Sequence, residues 1–305
     1  MSQRVAGFHA RSRIDSRKAR SVTLSSIAAS FLLGFLILEP LVADEKLTAE
    51  QSRFVENLRA SALQYTKELP NFLCTQTTHR TVRDISSFPT GMTGISTGGR
   101  AAVGVSGEIS QGGDDTIDEQ LTFFDHSEHY EVISVNGKKV SGLKHLELEG
   151  AVSAGEFGSA MENLFDPRAK TIFAWNRDTT ISGLRVHVLG FRVPKEYGNL
   201  VIYRRGGQQT MAPYSGRVFV DPANFQLVKI VSEVDLPVGF PIKMENLTVE
   251  YRPVEIAGKC FNLPYKSEVR LEDDSHLYVN TIEFRNYHKF SVQSTIHYDG
   301  NSQPQ

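Results

Sequence analysis

Cysteine is nearly missing: Cys74 and Cys260 are the only two in 305 residues. A scaffold stapled by several disulfides is therefore excluded, and at most one bridge can form within the chain. No cysteine lies near residue 43, which excludes a lipid-modified terminus there. An excess of positive charge is missing too. The chain has 33 basic and 35 acidic side chains. Six of the basic ones and two of the acidic ones, Asp15 and Glu39, precede residue 44, so residues 44–305 carry 27 against 33, a net charge of −6. Phosphate backbones are bound through Lys and Arg that release counterions, so nucleic acid is excluded as a partner. A P-loop and H-E-x-x-H are both absent from the sequence.

What is present begins with one apolar run. Arg4, Arg11, Arg13, Arg17, Lys18 and Arg20 precede Ile27–Leu38, a run that extends back to Val22 if Ser25 and Ser26 are tolerated. Glu39, Pro40 and the small residues Val42 and Ala43 follow. Basic, apolar, small is the order of a secretory signal: the positive end stays cytoplasmic, the apolar helix inserts, and a small residue fits the peptidase. Residues 1–43 are expected to be that signal, cut after Ala43, although Leu41 is larger than the peptidase prefers. The alternative is a retained anchor touching the membrane through residues 22–38, a run somewhat short of the roughly 20 residues that span a bilayer. Either way residues 44–305 are expected outside the cytoplasm, in the periplasm or cell envelope. In an oxidising compartment, Cys74 and Cys260 are expected to form a disulfide. The chain-entropy model assigns such a long loop roughly 4–5 kcal/mol, and the alternative is two separate buried thiols. With or without the bridge, a chain of this length buries enough surface to fold unaided.

Thr48 with Gln51 is a capping box, and Phe54, Leu58, Ala62, Tyr65 and Leu69 recur at helical spacing until Pro70. These predict a helix over 48–69. Strand-like residues 72–82 follow. Residues 86–116, crowded with Gly, Ser and Thr, are expected to be a long mobile loop, having little apolar surface to offset the entropy of ordering. Strand signals then recur at near-regular spacing, with Asn136-Gly137, Asp221-Pro222-Ala223-Asn224 and Glu272-Asp273-Asp274-Ser275 as turns. A second helix is predicted over 154–165, opened by Ser153 and Glu156 and stopped by Asp166-Pro167. The expected fold is α+β and β-dominated: one domain over 44–305, a large curved antiparallel sheet (half-barrel) packed against one or two helices.

The strings LPNFLCTQTTHR, EHYEVISVNGKKV, GEFGSAMENLFDP, FPIKMENLTVEYRPVEIAGKCFNLP and NTIEFRNYHKF resemble a family of uncharacterised exported bacterial proteins, over most of residues 65–290. The opening helix and the hairpin GRVFVDPANFQLVKIVSE are similar to the periplasmic lipoprotein-carrier (LolA-like) superfamily. That second resemblance implies a half-barrel of strands around helices, with an apolar cavity for acyl chains. It carries over no acyl-binding residue.

Candidate chemistry is thin. Asp125, His126, Glu128 and His129 could ligate a metal, but on a strand they divide between two faces, and a solvated turn explains them better. Asp273, Asp274 and His276 fit a polar hairpin tip. Cys74 and His79 face opposite sides of a strand, against a thiol nucleophile. Ser106 and Gly107 fall in the Gly/Ser loop, where a catalytic serine lacks rigid support. Trp175, Phe173 and Phe191 are expected in the core, and Arg204-Arg205-Gly206-Gly207 in an exposed loop. No catalytic residue, metal site or cofactor is therefore expected. The expected function is non-catalytic binding or carrying of an amphipathic ligand, such as a lipid or lipoprotein acyl chain, with ligand-binding residues unassigned. The alternative is a protein-interaction or scaffolding module of the envelope.

Overall fold

The structure, a computed structural model, describes residues 46–85, 104–106, 113–148, 150–152, 157, 159–197, 201–204 and 208–290. The expected signal or anchor, residues 1–43, lies outside them. No helix among the described residues is long and apolar enough to cross a membrane.

The capping box forms as the sequence predicts. Thr48 Oγ1 accepts from Gln51 N at 3.2 Å, and Gln51 Oε1 accepts from Thr48 N at 2.9 Å. Two orphan donors are thereby satisfied, and helix α1 runs over Ala49–Glu68, burying Val55, Leu58 and Ala62. Helix α2 covers only Ser159–Phe165, later than the start expected near Ala154; Ser153 and Glu156 lie outside the described residues. It stops where expected, with Asp166 Oδ1 accepting from Arg168 N at 2.7 Å.

The strands in chain order are β1 (Phe72–Asp84), β2 (Gly104–Ser106), β3 (Asp114–Phe124), β4 (Ser127–Val135), β5 (Lys138–Lys139), β6 (Gly150–Val152), β7 (Ile172–Ile181) and β8 (Leu184–Val193). After them come β9 (Val201–Arg204), β10 (Gln208–Met211), β11 (Tyr214–Val220), β12 (Leu227–Val234), β13 (Ile242–Ile256), β14 (Lys259–Asp273) and β15 (His276–Lys289). Eleven of them form one open sheet in the order β5-β4-β3-β1-β15-β14-β13-β12-β11-β8-β7, antiparallel throughout. The fold is thus the β-dominated α+β half-barrel that the strand spacing predicted. A smaller sheet has the order β10-β9-β2-β6, with β2 and β9 parallel. Asp125-His126, Asn136-Gly137, Ser182-Gly183 and Ala257-Gly258 all have positive φ at both positions, as two-residue hairpins require to match the strand twist. Gly216 permits a close approach: a Cβ there would lie 2.0 Å from the Val231 carbonyl oxygen of the neighbouring strand.

Both helices pack on one side of the sheet through a continuous apolar core. Leu58, Phe72, Phe157, Phe165, Phe191 and Phe284 are at most 1% exposed, and Phe72, Phe123, Phe157 and Phe284 interlock with ring centroids 4.9–5.4 Å apart. Of the three aromatics expected in the core, Phe173 and Phe191 are buried and pair across β7 and β8, while Trp175 is half-buried.

Two expectations need correction. The loop expected over 86–116 contains strand: Gly104–Ser106 is β2, and β3 begins at Asp114. Low apolar content was outweighed there by ladder partners, since Asp114–Thr116 pair with Thr81–His79, and the Asp115 carboxylate binds Arg80. The disulfide between Cys74 and Cys260 is not formed: both thiols are free, Cys74 buried and Cys260 exposed. Strand order supplies the reason. β15 lies between β1 and β14, so the two cysteines are separated by two strand spacings, about 9–10 Å, whereas a disulfide needs Cα atoms within about 7 Å.

Candidate functional site: a cleft at the rim of the sheet

Three segments meet at one end of the half-barrel around a cleft of about 690 Å³. The first wall is α1, through Ser61, Gln64, Tyr65 and Glu68. These lie at i, i+3, i+4 and i+7, one stripe of a helix, adjacent to the stripe of Val55, Leu58 and Ala62 that enters the core. The second wall is the turn joining β11 to β12, through Asn224 and Gln226. Asp221 begins that turn: its Oδ1 accepts from Ala223 N at 2.9 Å and its carbonyl from Phe225 N at 2.9 Å. Asn224 Oδ1 accepts from Gln226 N at 2.9 Å. Between Asn224 and Gln226, Phe225 holds φ at +58°, which is unfavourable for a bulky residue. Its ring is retained 5.1 Å from that of Phe54 on α1, which also meets Trp175 and His187 at 5.6 and 5.0 Å. The turn and the helix are thereby clamped together beside the cleft.

The third wall is the start of β14, Lys259 to Asn262. The β12–β13 ladder ends at the pair Lys229 and Glu250, before Pro253, which has no N–H to contribute. Asn262 Nδ2 donates instead to the Leu227 carbonyl at 2.7 Å, so the hairpin tip is tied back while the strands part.

The cleft is chemically mixed. Tyr65 and Phe261 present half-buried rings. The Tyr65 hydroxyl is buried with no hydrogen-bond partner among the described residues, and burial pushes its pKa well up. Gln64 Nε2 donates to Glu68 Oε1 at 2.6 Å. Glu68 and Lys259 are both exposed and opposite in charge.

A second polar group lies buried within the sheet, where Gln76 Nε2 donates to Glu119 Oε2 at 2.9 Å and the His145 Nδ1 contacts Glu119 Oε1 at 2.8 Å. These three residues are 2, 1 and 7% exposed. His145 stacks on Tyr130 with ring centroids 4.3 Å apart. The Tyr130 hydroxyl donates to Glu128, which also accepts from Phe157 N at 3.2 Å.

The metal-like cluster of residues 125–129 resolves otherwise than into a metal site. Asp125 and His126 are the turn, Glu128 serves Tyr130 and Phe157, and no three His, Cys, Asp or Glu side chains group together among the described residues. Asp273 caps its own turn, Oδ1 accepting from Ser275 N and His276 N at 2.8 Å. Cys74 is buried while His79 is exposed and contacts Thr116 Oγ1 at 3.0 Å, so the two face opposite sides as expected. Arg204 ends β9, and residues 205–207 lie outside the described residues, as does Gly107.

Of the cleft residues, the sequence marked Tyr65 as part of a helical stripe, Asn224 as part of a turn and Cys260 as a bridge candidate; nothing in it marked the residues of these three distant segments as neighbours. Glu119 carried a signal: it shares the inward face of β3 with Ile117, Leu121 and Phe123, and a carboxylate in that row has to find a partner.

No family model matches the chain, and no curated protein matches it. Among solved structures it is similar to a LolA superfamily protein from Nitrosomonas europaea, at 11% identity over 78% of this chain and 94% of that one, with a TM-score of 0.29. It is similar to a DUF1329 family protein from Desulfovibrio piger, at 8% identity over 79% and 95% of the two chains, with a TM-score of 0.30. It is also similar to lipoprotein LppX of Mycobacterium tuberculosis, at 9% identity over 79% and 98%, with a TM-score of 0.24. Likenesses this distant assign the chain neither a family nor an activity.

Proposed function

We propose that residues 44–305 bind an amphipathic ligand, such as a lipid or lipoprotein acyl chain, in the rim cleft without acting on it chemically, and that they do so in the cell envelope. The observation that carries this reading is a cleft of about 690 Å³ whose walls combine two aromatic rings with a ring of amides and hydroxyls. Ligand sites typically occupy about 300–1,000 Å³ and set a few polar groups against apolar walls. Phe72, Phe157 and Phe284 pack together in the core, and in this reading the ligand's apolar part lies along Tyr65 and Phe261 at the rim. Export directed by residues 1–43 belongs to the same proposal, and N-terminal sequencing of the mature protein is expected to begin at Asp44.

Native mass spectrometry of the protein purified from its own envelope tests the reading. The expected spectrum contains an amphiphile adduct, lost when Ser61→Trp fills the cleft. A mass equal to that of the chain alone, in both proteins, would overturn the proposal.

A further inference from the structure

Resting on that reading, we infer that the cleft selects amphiphiles with a neutral polyhydroxy head, the chemistry of a sugar. Four of its ten lining side chains are carboxamides: Gln64, Asn224, Gln226 and Asn262. A carboxamide offers donors and an acceptor in one plane, matching adjacent hydroxyls that each donate and accept. Two of these amides retain capacity. Asn224 uses only its oxygen, on Gln226 N, and the exposed side chain of Gln226 has no partner among the described residues.

Other head groups fit less well. An anionic head calls for a cluster of Arg and Lys, preferably with bidentate guanidinium geometry. Here Lys259 is the one basic lining side chain, and Glu68 offsets it. A quaternary ammonium is held over the faces of several aromatic rings, whereas this cleft has Tyr65 and Phe261 among a majority of polar side chains.

Cys260 makes the test specific to the site. It lines the cleft and is exposed, whereas Cys74 is only 2% exposed. The rate at which N-ethylmaleimide alkylates Cys260 in the full chain therefore reports cleft occupancy, independently of any amphiphile held by residues 22–38. The probes are n-dodecyl-β-maltoside and dodecylphosphocholine, which share one alkyl chain, each kept below its micelle concentration. The maltoside is expected to protect Cys260 at a concentration at least tenfold lower. Gln226→Ala, at an exposed side chain, is expected to remove most of that advantage. Equal protection, stronger protection by phosphocholine, or an advantage indifferent to Gln226→Ala overturns the headgroup assignment and leaves amphiphile binding standing. Protection by neither probe overturns both.

Discussion

The molecule holds polar side chains away from bulk water in two ways. Within the sheet, Gln76, Glu119, His145, Tyr130 and Glu128 are linked to one another across β1, β3, β4 and the turn at His145, with Gln76 Oε1 left over. At the rim, Tyr65 keeps a buried hydroxyl without a partner among the described residues, beside the exposed amide of Gln226. The first arrangement specifies which strands lie side by side. The second leaves the Tyr65 hydroxyl unpaired at a cost in stability, and leaves the Gln226 amide free to exchange water for a ligand. Polarity alone therefore does not mark a site; unspent polarity beside open volume does.

The largest effect is expected at Glu119. Glu119→Ala leaves Gln76 Nε2 and His145 Nδ1 without their acceptor, and each buried polar group left unsatisfied costs about 1–3 kcal/mol. Urea denaturation measures it. A loss no larger than that of Gln226→Ala, expected within about 0.5 kcal/mol as a surface substitution, would remove the distinction between the two regions.

A matched pair of hydroxyl deletions tests the same distinction by sign. Tyr130→Phe removes a hydrogen bond to the Glu128 carboxylate and is expected to destabilise by about 2 kcal/mol, as bonds to charged groups do. Tyr65→Phe removes a buried hydroxyl with no partner and is expected to stabilise the free protein by about 1 kcal/mol. If both substitutions destabilise, the Tyr65 hydroxyl already has a partner in solution and the cleft has less unused capacity than its geometry indicates.

The readability of these regions from sequence follows how local each one is. α1 was legible to within a residue at each end, because Thr48, Gln51 and Pro70 act within one turn of the helix they bound. The turn at Asp221 was legible as a turn. Its role was not, since the sequence does not reveal that Phe225 would reach Phe54, or that Asn224 and Gln226 would face α1. The pairing of Glu119 with His145 joins residues 26 apart, and the cleft joins residues near 61–68, 224–226 and 259–262. The long-range pairing of β1 with β15 sets the strand that follows α1 beside the β14–β15 hairpin.

That same pairing governs the two cysteines, where the smallest effect is expected. Cys74 sits on the filled side, where burial, and after it the nearby Glu128 carboxylate, push its thiol well up. Cys260 sits on the open side, in the cleft. The thiolate is the reactive form, so in native protein one thiol, Cys260, is expected to react with Ellman's reagent, and Cys74 only as fast as the chain unfolds. Because β15 separates their strands, a reductant should leave the melting temperature unchanged. Two thiols that appear only after denaturation and reduction together would mean that β1 and β14 approach more closely than this strand order allows. In that case the wall that carries Lys259 to Asn262 would have to move with them, closing the cleft on which the comparison rests.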